Sequence, residues 1–166
     1  MNQQDIFNGL WTITKEKLDA CKAEAAAVGK DHPTERAALQ LKAGIYNVAM
    51  AAGLMAGSDQ ATELMSKRFE NLIKHFHFPE LATHYDGLSD EEKGIMEISL
   101  YPELFMRVNF YDTYTADLAE AKKDGDPQKI FKAKIKKEVL DDILDLWRDF
   151  RVQNDLFVFA FEDKED

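Results

Sequence analysis

The chain has 166 residues, a formal net charge of −10 and one cysteine. That length suits a single domain, 1–166, whose core is large enough to need no disulfide or metal staple. The acidic balance argues against direct binding to DNA or RNA, which relies on neutralising phosphates, and against docking on anionic lipid. Cys21 has no partner for an internal disulfide, which favours a reducing compartment. The first residues lack the basic start and apolar run of a signal peptide. The longest uncharged stretch, 43–58, is too short to span a bilayer. The expected location is cytoplasmic.

Hydrophobic spacing predicts helices almost throughout. Phe7, Trp11, Thr14, Leu18, Cys21, Ala25 and Val28 step by four and three, one stripe of a long helix that stops at Gly29. A second helix starts near Pro33, a favoured first-turn residue. Its stripe is Ala38, Leu41, Ile45, Val48, Ala52 and Met55, and its other side is also small or apolar. A helix apolar all round is usually buried, so this one is expected at the centre of the bundle. Ala49, Gly53 and Gly57 would let a neighbour approach closely.

A third helix carries Ala61, Met65, Phe69, Leu72 and Phe76 and ends at Pro79, with one further turn at 80–85. Ser89 and Glu92 then form a capping box, the hydroxyl and the carboxylate each meeting a free backbone N–H. The helix that follows meets Pro102, where a break or kink is expected. Beyond it Leu104, Val108, Tyr111, Thr115 and Leu118 continue the stripe. Gly125-Asp126-Pro127 reads as terminator, cap and first turn. The last helix carries Phe131, Ile135, Val139, Ile143, Leu146 and Phe150. The apolar run 156–161 fits strand or helix by periodicity. Helix is preferred because Phe150, Asn154, Phe157 and Phe161 keep the spacing and a lone strand has no sheet to join.

So short a turn at 125–127 makes its flanking helices antiparallel. Folding about it sets Asp124 near Lys129, Glu120 near Lys132, Asp117 near Lys136 and Arg107 near Asp145. Exposed pairs of this kind contribute ~0.2–1 kcal/mol each and act on register more than on stability.

Three groups of residues could carry function. Glu138, Asp142, Asp145 and Asp149, with Asp141 adjacent, form an acidic stripe on the last helix, partly offset by Arg148 and Arg151. Such a stripe is either a solvated face or a docking surface for a basic protein partner. His77, Glu80 and His84 have side chains that suit a transition metal, and Glu80 and His84 share a face if a helical turn follows Pro79. The two-iron bundle signature Glu-x-x-His is absent, and His75 and His77 point to different sides of a helix. Phe105, Phe110, Tyr111, Tyr114, Trp147, Phe150 and Phe157 supply core aromatics or the walls of a small-molecule pocket. There is no dinucleotide fingerprint, P-loop, zincin motif or nucleophile elbow. Cys21 lies on an apolar stripe, where a thiol behaves as a small hydrophobe.

Together these features predict an all-α bundle of five to six helices with an antiparallel C-terminal hairpin. The expected function is that of a non-enzymatic binding or regulatory protein working through the acidic stripe, with no cofactor. A metal-binding bundle and a small-molecule binder are the alternatives. The 156–161 segment would also suit contact with a second copy.

Overall fold

The computed structural model describes residues 1–53, 62–75 and 78–161. Among these it is an all-α bundle with no strand. The helices are α1 (Gln3–Val28), α2 (Pro33–Val48), α3 (Thr62–His75), α4 (Pro79–Asp86), α5 (Asp90–Met106), α6 (Asp112–Asp124) and α7 (Pro127–Gln153). A π-helical turn, Ala49–Gly53, prolongs α2, and another, Arg107–Tyr111, joins α5 to α6 without interrupting the rod. The described chain therefore forms six rods.

Local chemistry sets most of the rod ends. Ser89 Oγ accepts from Glu92 N–H and Glu92 Oε1 accepts from Ser89 N–H, both at 3.2 Å. A second capping box, between Asn2 and Asp5, opens α1. Gly125 takes the left-handed conformation (φ 73°) that closes α6, and Asp126 then caps α7 by accepting from Gln128 N–H at 2.9 Å. Pro102 does not break α5, which stays helical from Asp90 to Met106. The departure from α geometry comes later, in the Arg107–Tyr111 turn, where a π turn accommodates one extra residue.

One contiguous apolar cluster runs from Ile6 on α1 to Trp147 on α7. Its centre is α5, buried at every position from Met96 to Leu104, and not α2. On α2 the inward residues are Leu39, Ile45 and Tyr46; Val48 is 38% exposed. The apparent all-round apolarity of α2 came from Ala and Gly, which offer little area to bury. Residues 95–106 carry large side chains at every phase of the helix, and buried area is what drives enclosure. The stripe on α1 is also rotated by one residue at its start. Ile6 and Leu10 point inward, Phe7 is only partly buried, and Trp11 is 39% exposed with the Lys15 ammonium 5.9 Å from its ring. Ala61, Phe76, Met55 and Gly57 lie outside the described residues.

Helix α7 ends at Gln153, and 156–161 is neither helix nor strand. Asp155 adopts the left-handed conformation (φ 55°), its N–H bonds to Val152 O at 3.3 Å, and Leu156 N–H bonds to Arg151 O at 2.8 Å. These two crossed bonds are a Schellman stop, built here on Asp where Gly is more usual. The segment beyond folds back as an extended strap, with Leu156, Phe157, Phe159 and Phe161 packed on the core.

Helices α1 and α7 pack antiparallel. Trp147 Nε1 donates to Thr14 Oγ1 at 2.9 Å, and the Phe150 ring lies over Gly9 so closely that a β-carbon there would meet it at 2.5 Å. The Gly9→Ala substitution should destabilise the fold by about 1–3 kcal/mol through overpacking. Adding Phe150→Leu should return part of that loss. Urea denaturation of the single and double variants measures both.

Candidate functional site

The acidic stripe is the candidate with the clearest surface geometry. Helix α7 has two opposed faces. Val139, Leu140, Ile143, Leu144 and Trp147 are buried, whereas Glu138, Asp142, Asp145 and Asp149 are exposed. Asp141 differs. It is half-buried and bound to Lys137 Nζ at 3.0 Å, while that ammonium lies 4.9 Å from the centre of the Tyr111 ring. The stripe that faces water is therefore four carboxylates, with Asp141 engaged inside the helix surface.

These carboxylates feel one another. Asp145 is held above the ordinary Asp range, first by partial burial and then by Asp141, Asp149 and Asp142; Arg148 opposes the shift. Asp142 also reaches the neighbouring helix. Burial, then the charges of Cys21 and Asp142, push the Tyr46 phenol up to about 12. The Cys21 thiol is itself pushed up, by burial first and then by Glu24, which leaves it a poor nucleophile.

The turn between α6 and α7 brings Lys129 Nζ to 3.4 Å from Asp124, as the sequence predicts. The other expected cross-hairpin pairs do not close among the described residues. Lys136 Nζ lies 5.9 Å from the Tyr114 ring centre, and Arg107 Nε meets Glu103 at 2.9 Å. Lys136, which the antiparallel register set near Asp117, thus lies close to an aromatic face, as does Lys137.

Of the expected metal ligands, His77 lies outside the described residues. Glu80 and His84 are exposed on α4, one turn apart as expected. The His84 imidazole stacks on Phe157, with ring centres 4.3 Å apart and planes at 15°. No group of three or more His, Cys, Asp or Glu arranged to hold a metal occurs among the described residues. The aromatics divide. Trp147 and Tyr111 are buried in the core, while Phe105, Phe110 and Tyr114 form a file of rings 5.7–6.3 Å apart on the α5–α6 rod.

Two buried polar clusters escaped the sequence reading. Glu97, buried on α5, accepts from Ser66 Oγ at 2.7 Å and from Tyr85 Oη at 2.6 Å. Burial first, and then Glu97, push the Tyr85 phenol above its usual range. Glu103, 2% exposed, takes Arg107 Nε on one oxygen and the wholly buried Arg151 Nη2 on the other, the latter at 2.5 Å. A signal for both was present. Glu97 and Glu103 interrupt a run of residues that is apolar at every phase, and Arg151 falls on the spacing 140, 144, 147, 151.

Comparison with family models, with curated proteins and with solved structures found no match. No described helix is long and apolar enough to cross a membrane.

Two outcomes follow from the charges. Replacing Glu103 by Leu strands the buried Arg151 guanidinium and should cost about 3–5 kcal/mol; adding Arg151→Met should recover much of it, since an apolar pair needs no counter-charge. Chemical denaturation of both variants tests this. The raised Asp145 group works the other way. A carboxyl whose folded-state pKa lies above its unfolded value opposes folding while ionised, and that cost fades as pH falls through the raised value. Asp145→Asn should therefore stabilise the protein at pH 7, by no more than about 0.5 kcal/mol after solvent screening. Thermal melts across pH should show the gain vanish in acid, below the ordinary carboxylate range.

Proposed function

We propose that this chain is a non-enzymatic binding or regulatory protein of the cytoplasm, acting by docking a basic patch of a partner protein on the exposed acidic face of α7. The observation that supports the reading is crowding. Glu138, Asp142, Asp145 and Asp149 share one exposed face of α7, and Asp145 is raised above its ordinary range by partial burial first and then by Asp141, Asp149 and Asp142, with Arg148 opposing the shift. The lysines of the same helix lie toward its start, where Lys129 and Lys137 are engaged by Asp124 and Asp141. The carboxylates are thus left to water and to whatever cation comes from outside.

Lysine or arginine side chains spaced along a partner surface would relieve that repulsion on contact. Exposed charges act mainly on encounter. They steer association and discriminate against acidic partners, and their effect is screened by salt. The face is made of short, stiff aspartates on a rigid helix, so little side-chain freedom is lost when they are engaged.

Capture of partners from the native host at low and high ionic strength is the first test. A protein retained at low salt and released at high salt should carry a net positive patch. With that partner in hand, the combined reversal Asp142→Lys, Asp145→Lys and Asp149→Lys should lower the association rate by at least ten-fold with little change in the dissociation rate, while circular dichroism stays helical. An unchanged association rate in a folded triple variant would refute the docking role.

A further inference from the structure

Among the described residues, Arg151 has the most unmet buried side-chain donors. Its side chain is wholly buried, yet only Nη2 has an acceptor, the Glu103 carboxylate. Nε and Nη1 have no hydrogen-bond partner. Buried donors left unmet are costly, and those of a charged guanidinium the more so. Glu103 is not Arg151's alone, since its second oxygen is taken by Arg107 at 2.9 Å.

The surroundings say what kind of acceptor is missing. Guanidinium N–H groups recognise the oxygens of carboxylates and phosphates. An apolar cover lies beside the cluster that Arg151 forms with Glu103 and Arg107. The strap 156–161 leaves the end of α7 beside Arg151, and its Phe161 ring comes to rest 4.2 Å from the Arg107 guanidinium carbon. Phe159 packs edge-on against Phe161, and Phe161 against Phe78. A strongly hydrated inorganic anion would lose its water there with little in return. An acid with an apolar body would keep the aromatic contacts and bring the oxygens.

The cover can also be displaced without breaking secondary structure. Among the described residues, no backbone hydrogen bond holds Phe157–Phe161 to the rest of the chain; the last one is Leu156 N–H to Arg151 O. The bend is at Asn154 and Asp155, where the left-handed Asp155 marks a sharp change of direction. Arg107 itself stands in the π-helical turn between α5 and α6, a distortion that recurs at functional sites.

We propose that Arg151, with Arg107 beside it, receives the carboxylate of a small organic acid, which enters when the 156–161 strap lifts and is then covered by its phenylalanines. The site is distinct from the acidic face of α7. It faces the core, takes an anion, and has a different partner class.

The test reads the Arg151 Nε–H resonance in ¹⁵N-labelled full-length protein, assigned by its disappearance in Arg151→Lys. Hexanoate and benzoate are titrated at fixed pH and ionic strength, with sodium phosphate and chloride as comparators. The expected result is a saturable shift of that resonance with the two organic acids, together with a rise in Tm. The exposed Arg148→Lys variant should keep both effects. Phe161→Ala, which loosens the cover, should bind with a faster association rate. If Arg151→Lys fails to fold, the resonance is assigned by triple-resonance correlation to the Arg151 backbone, and the wild-type titration and the Phe161→Ala rate still decide. An unmoved Nε–H resonance, a shift that grows without saturating, or the same shift with chloride would overturn the proposal. A phosphate response equal to that of the organic acids would overturn the assignment to an organic carboxylate.

Discussion

A helix with no wet face has to be enclosed on every side, and α5 is such a helix between Met96 and Leu104. α1, α3, α7 and the π turn that prolongs α2 all pack against it. Enclosure removes a large apolar area from water, which is the main favourable term for a chain of this size. It also sets a condition that the two carboxylates on α5 must meet. Glu97 is met by two hydroxyls and Glu103 by two guanidinium groups, and each solution ties α5 to particular partners. Ser66 holds α3 and Tyr85 holds α4 to one end of the rod, while Arg151 holds α7 to the other. A purely apolar contact tolerates sliding by a residue, whereas these bonds do not. Buried polar groups of this kind act more on which arrangement forms than on how stable it is.

Helix α7 carries that condition outward. Its inner face supplies Trp147 and Arg151, and the same rotation of the helix puts Asp142, Asp145 and Asp149 in water. The acidic face and the buried guanidinium are thus two consequences of one register. Lys137 marks the border between them. Its side chain is buried, and its ammonium meets the Tyr111 ring and Asp141, whose carboxylate reaches the surface.

Much of this architecture could be read from local chemistry. The Ser89–Glu92 box and the Gly125-Asp126-Pro127 turn were legible because their signals lie within four residues and depend on backbone donors and left-handed geometry alone. Which helix sits at the centre was not legible from apolarity counted by residue. Ala and Gly on α2 count as apolar yet bring little surface, so the larger side chains of α5 prevailed. The stop at Gln153 was missed because Asn154-Asp155 keeps the three-four spacing going, and only the tolerance of Asp for the left-handed region ends it. The acidic stripe was visible as a pattern, and four of its carboxylates lie exposed on α7, while Asp141 is half-buried against Lys137. The Arg151–Glu103–Arg107 cluster joins residues up to 48 apart in the chain, and a reading confined to single helices cannot pair them.

The bond between Thr14 and Trp147 spans 133 positions. Contacts so distant in sequence impose an order on events while the polypeptide is being made. α1 emerges from the ribosome first, yet the surface it must cover on α7 is translated more than a hundred residues later, many seconds at the usual rate of elongation. Until then the inner face of α1 can rest only against α2 and α5, which are translated earlier, or against a chaperone. The nascent chain is therefore committed to finishing its interior after α7 has been translated, when the last long helix closes over the first.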